Sequence, residues 1–301
     1  MIEGVFMRFK RIALLGIIIA TFTHSYQAWC QDLDAKKIFF EYSEQLKNSY
    51  KKGDYTKDDY NKFLQLLEFN LGLMYEKGLG VDIDRPRALK SYKSAAQNGL
   101  VQAQFILGSY YARMRGSFIS PSLMATEAKK YYTMAAESDP PHPEAMVGLG
   151  NIYEGVDDQG KDKSYAGVSK SIETAAEWYE KADKLGVPEA SYRLGYLYEN
   201  ECTHGSFNTE ELYNKAANKH FPLAEYRLAL LYKGGEDCVT KDLQRAAELF
   251  IEAGKDYLKK KNLRKADECR GKAADLIEEH KFLYLKGRLE KFKEEIIKVS
   301  Q

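Results

Sequence analysis

The side chains that do most protein chemistry are few and scattered in this sequence. Five histidines, His24, His142, His204, His220 and His280, include no pair at i and i+4, the spacing that sets two imidazoles on one helical face for a metal. Spacing alone therefore predicts no zinc site. No phosphate loop, GxSxG elbow, CxxC pair, HExxH or dinucleotide fingerprint occurs either. Asp157-Asp158-Gln159-Gly160-Lys161-Asp162 is acidic and carries a glycine, yet lacks the alternation and terminal Glu of a calcium loop. It reads as a solvated insertion. No catalytic residue, metal ligand or cofactor site is predicted.

Composition sets the outer bounds. The chain has 301 residues, with 45 basic and 44 acidic side chains. That balance argues against a general nucleic-acid binder, which needs a basic surface. Apolar residues make up 44%, and 22 tyrosines stand against 7 prolines and 2 tryptophans. Such a chain can bury a core and is too apolar to be disordered.

The N-terminus is a separate object. Arg8, Lys10 and Arg11 precede an uncharged apolar run, Ile12 to Phe22, and polar Thr23-His24-Ser25 follows. A basic start, a short apolar stretch and a polar end have the layout of a secretory signal. A spanning helix needs about 20 apolar residues, so this run predicts no stable membrane span. The expectation is a signal over residues 1–28 and a mature protein in the periplasm or outside the cell.

The elements that follow repeat themselves. A Leu-Gly pair, once Leu-Ala, recurs at Leu71, Leu107, Leu149, Leu194 and Leu228, spaced 36, 42, 45 and 34 residues apart. Each pair is followed three residues later by Tyr75, Tyr111, Tyr153, Tyr198 or Tyr232. Four before each Leu stands Leu67, Ala103, Ala145, Ala190 or Ala224. These offsets fall on one face of a helix, helix A of each unit. A second set defines helix B, an aromatic three before an alanine: Tyr92/Ala95, Tyr132/Ala135, Tyr179/Ala182, Tyr213/Ala216 and Phe250/Ala253. Small residues let the paired helices approach, and the aromatics fill the space between them. One unit cannot bury its apolar face alone, so units must stack into a solenoid. The A-to-B loops differ in length and read as an edge on which nothing packs.

Leu71-Gly72-Leu73-Met74-Tyr75-Glu76-Lys77-Gly78-Leu79-Gly80-Val81, then Ala88, Tyr92 and Ala95-Ala96-Gln97-Asn98-Gly99, closely resembles the Sel1-like repeat, and Leu194-Gly195-Tyr196-Leu197-Tyr198 does so equally. The resemblance covers about residues 66–254. It departs at Thr209, where other units have alanine, and at Ala229, where they have glycine. It implies an all-α fold, a right-handed α/α superhelical solenoid related to tetratricopeptide proteins, used for protein–protein contacts and not for catalysis. About five repeats, 66–254, are then expected between a helical N-terminal cap within 29–65 and two capping helices within 255–301.

Four cysteines, Cys30, Cys202, Cys238 and Cys269, allow three full pairings in an exported chain. Cys202 and Cys238 occupy the A-to-B loops of successive units, so a disulfide between them is one expectation. From Lys255 to Lys272 eight basic residues outnumber three acids, which reads as a solvated helical face, the alternative being a dock for an anionic partner or lipid. In the related tetratricopeptide geometry, the position two before the Leu of Leu-Gly points into the concave surface. It holds Phe69, Phe105, Val147, Tyr192 and Tyr226, joined by Tyr196, Arg193 and Arg227. Aromatics and arginine anchor interfaces well, so Phe69, Phe105, Tyr192, Arg193, Tyr196, Tyr226 and Arg227 are the expected contacts for a protein or peptide partner, the alternative being that the rings pack against the neighbouring unit. The competing reading is a periplasmic enzyme, or an enzyme accessory, acting on the cell wall.

Overall fold

A computed structural model describes residues 56–78, 81–114, 120–199, 209–235 and 239–300. The expected signal and residues 29–55 of the expected N-terminal cap lie outside the described residues, as do Cys30, Cys202 and Cys238. Twelve α-helices and no strand occur among the described residues: α1 Lys57–Lys77, α2 Arg85–Gln97, α3 Val101–Arg113, α4 Pro121–Ala136, α5 Pro143–Glu154, α6 Ile172–Lys184, α7 Pro188–Tyr198, α8 Thr209–Ala217, α9 Pro222–Gly234, α10 Leu243–Lys259, α11 Leu263–Glu279 and α12 Leu283–Ser300. Odd members through α9 are A helices and even members through α10 are B helices.

The chain divides after Leu107 into two compact units. In the first, α1 packs on α2. In the second, each helix from α4 to α12 packs on the next in sequence, and α12 also returns to α10. This is an all-α repeat solenoid.

Local sequence sets where the helices begin. Helices α5, α7 and α9 open on Pro143, Pro188 and Pro222, each preceded by a residue in extended backbone. Proline at the first position loses only an N–H that the helix would not use, and its ring pushes the preceding residue out of the helical region. Helices α2, α6, α10 and α11 begin differently. Asp84, Ser171, Asp242 and Asn262 accept a hydrogen bond from the backbone N–H three residues on, each worth about 1 kcal/mol.

The repeat core is one contact made again and again. Ala95, Ala135, Ala182, Ala216 and Ala253 are fully buried, as are Leu107, Leu149, Leu194 and Leu228. The A-helix glycine lies against the B-helix tyrosine of its own repeat. A Cβ built on Gly72 would stand 2.5 Å from the Tyr92 ring, and one on Gly195 would stand 2.7 Å from Tyr213. Gly108 against Tyr132 and Gly150 against Tyr179 are equally close. No side chain fits between them.

The tyrosine hydroxyl then reaches past the glycine to a polar group further along helix A. Tyr92 donates to Glu76 at 2.8 Å, the Tyr179 hydroxyl lies 2.6 Å from Glu154 Oε2 and 2.7 Å from Asn151 Oδ1, and Tyr213 donates to Glu199 at 2.9 Å. Those glutamates all stand five residues after the Leu of Leu-Gly. In the second repeat that position is Ala112, and Tyr132 donates instead to Ser109 at 3.1 Å. In the fifth it is Lys233, the glycine is Ala229, and the ring is Phe250, which has no hydroxyl to place. The changes run together.

One expectation fails here. The A-to-B loop of the third repeat is not free of packing. It closes a bridge between Val156 and Asp162, buries Val156 and Tyr165, and receives Arg193 from α7, whose Nη2 is 3.4 Å from the Asp157 carbonyl. Asp157 also accepts from the N–H groups of Gln159 and Lys161. The acidic side chain is spent on folding its own loop.

The glycine contact predicts opposite signs for one substitution at two sites. Gly150→Ala drives a methyl into the buried Tyr179 ring and is expected to cost about 1–3 kcal/mol. Gly287→Ala, in α12 with nothing within 4 Å of its added Cβ, is expected to gain up to about 1 kcal/mol from helix propensity. Urea denaturation of the two variants beside the parent checks both; a stable Gly150→Ala protein removes the close-contact account.

Candidate functional site

The expected partner-binding residues divide by burial. Tyr192 and Arg193 are 7% and 4% exposed; burial takes both off the accessible surface, so for these two the packing alternative holds. The reason lies in the stacking. Tyr192 is wedged between its own repeat and the next, its ring 5.8 Å from Tyr213 on α8 and 5.4 Å from Phe221 at the entry to α9. Arg193 turns toward the loop of the third repeat and lies 3.8 Å from Glu189. Phe69 is half-buried in the first unit, its ring 5.8 Å from Tyr92. Phe105 is half-buried on α3.

Tyr196, Tyr226 and Arg227 remain accessible. Tyr196 lies one turn beyond Tyr192, is 40% exposed, and stacks on it at 6.4 Å with 26° between planes. The Arg227 guanidinium sits 4.9 Å above the Tyr196 ring, and Glu199 holds it at 3.6 Å. Half-buried Tyr226 packs edge-on against Phe250 and donates to Glu268 at 2.6 Å. Desolvation, and then that hydrogen bond, push its phenol pKa up.

The basic run 255–272 borders this surface. Lys260 stands 5.2 Å above Phe221, and Lys265 and Lys272 stand 5.1 Å and 5.9 Å above Tyr226. Cation–π contacts of this kind contribute about 0.5–1 kcal/mol each at exposed sites. Aromatic rings under positive side chains form an edge suited to an apolar or acidic partner segment.

Cys202 and Cys238 lie outside the described residues, so their pairing is left as an expectation. Cys269 is a free, buried thiol on α11, its pKa pushed up to about 12 by burial. It is core, not a nucleophile.

A second cluster is polar. His220, Glu225 and Asp256 bring one possible ligand atom each within 4.8 Å of the others. His220 Nδ1 is 2.9 Å from Asp256 Oδ2 and 3.9 Å from Glu225 Oε1. Sequence spacing missed this group because its members come from a turn and two different helices.

The Sel1 repeat family model matches residues 67–100, 101–140, 143–187, 188–201 and 222–256, more than half of the chain. The chain belongs to the Sel1 repeat family. The fourth match stops ahead of α8, where Thr209 replaces the usual alanine. A Sel1 repeat protein of Oxalobacter formigenes has a similar crystal structure, with a TM-score of 0.58 and 24% identity over 86% of this chain and 96% of that one. A protective antigen of uropathogenic Escherichia coli strains, with an SLR fold, gives a TM-score of 0.52 at 23% identity, over 77% of this chain and 53% of that one. Both likenesses show the fold. The rat DAP3-binding cell death enhancer 1 is 29% identical over 120 residues, and the chain spans 20% of that protein's length. Sel1 repeat proteins are typically protein-interaction scaffolds and generally non-catalytic. Among the described residues no helix is long and apolar enough to cross a membrane.

The polar cluster carries a pH signature. Burial, and after it the Asp256 carboxylate, push the Glu225 carboxyl up to about 8, with Glu252 adding to the rise and Lys259 opposing it. Between the ordinary carboxylate range and that value the folded chain holds a proton that the unfolded chain releases. Stability therefore falls as pH rises through this window, by at most about 1.4 kcal/mol per pH unit for one group. His142, whose pKa burial lowers, acts in the opposite sense, so the difference between parent and Glu225→Gln isolates the effect. The variant is expected to flatten the decline between pH 5 and pH 8 in chelator-treated buffer (roughly the window set by the two values); parallel curves would place the proton elsewhere.

Proposed function

We propose that this protein is an exported Sel1 repeat scaffold that captures a protein or peptide partner on the edge formed by Tyr196, Arg227 and Tyr226. The observation that carries the reading is Tyr196, an exposed ring stacked on a buried one and covered by an arginine that Glu199 fixes. A pre-oriented aromatic and a pre-oriented guanidinium bury large area with little further loss of rotamer freedom. Lys260, Lys265 and Lys272 favour a partner segment that presents carboxylates beside apolar side chains.

Export rests on the basic start and the 11-residue apolar run of the N-terminus. The work of the scaffold is then in the cell envelope or in contact with a host cell. With residues 1–28 removed as a signal, residues 29–65 lead into the repeats, 66–254 carry the aromatic anchors of the partner surface, and 255–301 cap the repeats and add its lysines.

Two measurements test this. Tyr196→Ala and Arg227→Ala are expected to abolish capture of the partner recovered from envelope or medium with the parent protein, while melting shifts little. Tyr192→Ala is expected to cost about 3–5 kcal/mol because it empties a buried site. Capture unchanged in both surface variants moves the interface elsewhere. For export, N-terminal sequencing of protein from the native host is expected to find a start between Tyr26 and Cys30; intact residues 1–25 on the membrane fraction would make the segment a tether.

A further inference from the structure

The strongest unassigned feature is the polar cluster between the fourth and fifth repeats. We propose that His220, Glu225 and Asp256 bind one divalent transition-metal ion of the zinc class, joining the turn after α8 to α9 and to the end of α10.

The donor set is mixed nitrogen and oxygen, from one imidazole and two carboxylates. Calcium and magnesium prefer oxygen-only sites, whereas zinc and its neighbours accept this combination. Tetrahedral ligands about 2.0–2.1 Å from zinc stand about 3.3–3.4 Å apart. The separations of 2.9 Å and 3.9 Å from His220 Nδ1 bracket that value. All three ligand atoms lie within 4.8 Å of one another, within reach of one ion.

The second observation is an orphan atom. Glu225 is only 2% exposed, and its Oε2 finds no hydrogen-bond partner. A buried carboxylate oxygen without a donor is costly. A cation shared with Asp256 and His220 would take the place of the proton that this carboxyl otherwise holds. Asp256, 4% exposed, engages Lys259 through Oδ1 at 2.6 Å and faces His220 through Oδ2. One carboxylate oxygen is thus paired with lysine and the other is turned to the cluster. The His220 side chain is 75% exposed, which gives an ion a path from solvent and leaves room for water as a further ligand.

The other repeat junctions lack the set. His220 occupies the left-handed turn position, φ 57°, that Gly99 and Gly186 fill after the first and third repeats. The helix-A position of Glu225 holds Gln104, Met146 and Ser191 at the preceding junctions. A metal clip here would hold the last repeat to the one before it, independently of the partner edge.

The test uses the full chain, freed of metal by chelation and titrated calorimetrically with Zn2+ alone. The expected result is one saturable site per chain, accompanied by a rise in melting temperature. His220→Gly removes the imidazole and suits the left-handed backbone, while Glu225→Gln keeps the shape and removes the charge. Outer-shell changes already weaken metal sites about 10- to 100-fold, so each variant is expected to lose at least about tenfold in affinity. Far-UV circular dichroism verifies that both retain helix. Absence of saturable uptake by the parent overturns the proposal, as does uptake undiminished in both variants, which would place the ion on other histidines or cysteines.

Discussion

A tyrosine ring packed against a glycine on the partner helix is the contact on which the first four repeats depend. It fixes the distance between helices A and B at a value that any Cβ would break, as at Gly150 and Tyr179. Dispersion and burial supply the attraction, and the hydroxyl supplies direction. Because Tyr179 must reach Glu154 and Asn151, the helices cannot slide without leaving a buried carboxylate unpaired, a loss of about 1–3 kcal/mol. Shape sets the spacing, and the hydrogen bond sets the register. The C-terminal end uses the same device without a hydroxyl: Phe292 of α12 lies fully buried against Gly254 of α10.

Stacking of repeats then decides which aromatics are left outside. Tyr192 sits where two successive repeats meet, so Tyr213 and Phe221 cover it. One helical turn later Tyr196 has passed the seam and stands in solvent. The exposed ring is oriented by the buried one below it, and Arg227 from the next repeat closes over the pair. An accessible surface built on core residues is rigid before any partner arrives, which lowers the entropy cost of binding.

The same logic places charge inside the molecule. Arg193 is buried yet reaches the loop of the preceding repeat, and Glu225 and Asp256 are buried at the junction of the last two. Most of this solenoid is held by apolar area and backbone hydrogen bonds. Apart from Glu154, which Tyr179 holds within one repeat, these buried charges lie at seams between repeats, where loops or turns of one repeat meet helices of the next.

The sequence by itself determined the helices and their pairing. Leu-Gly-x-x-Tyr and aromatic-x-x-Ala are local patterns with helical periods, and each repeat restates them, so the fold, the repeat count and the C-terminal helices α11 and α12 were legible without coordinates. Even the exchange of Gly and Tyr for Ala229 and Phe250 can be read once the contact is known. Only the tertiary structure decided exposure. Tyr192 and Tyr196 are the same residue type, four apart on one helix, and nothing local says which meets Phe221 and which meets water. The loop of the third repeat likewise looked solvated by composition, until Arg193, more than thirty residues away, proved to fill it. The His220, Glu225 and Asp256 group shows the limit most clearly. Its spacing follows no motif, because a turn and two helices brought together by stacking set the distances between its atoms.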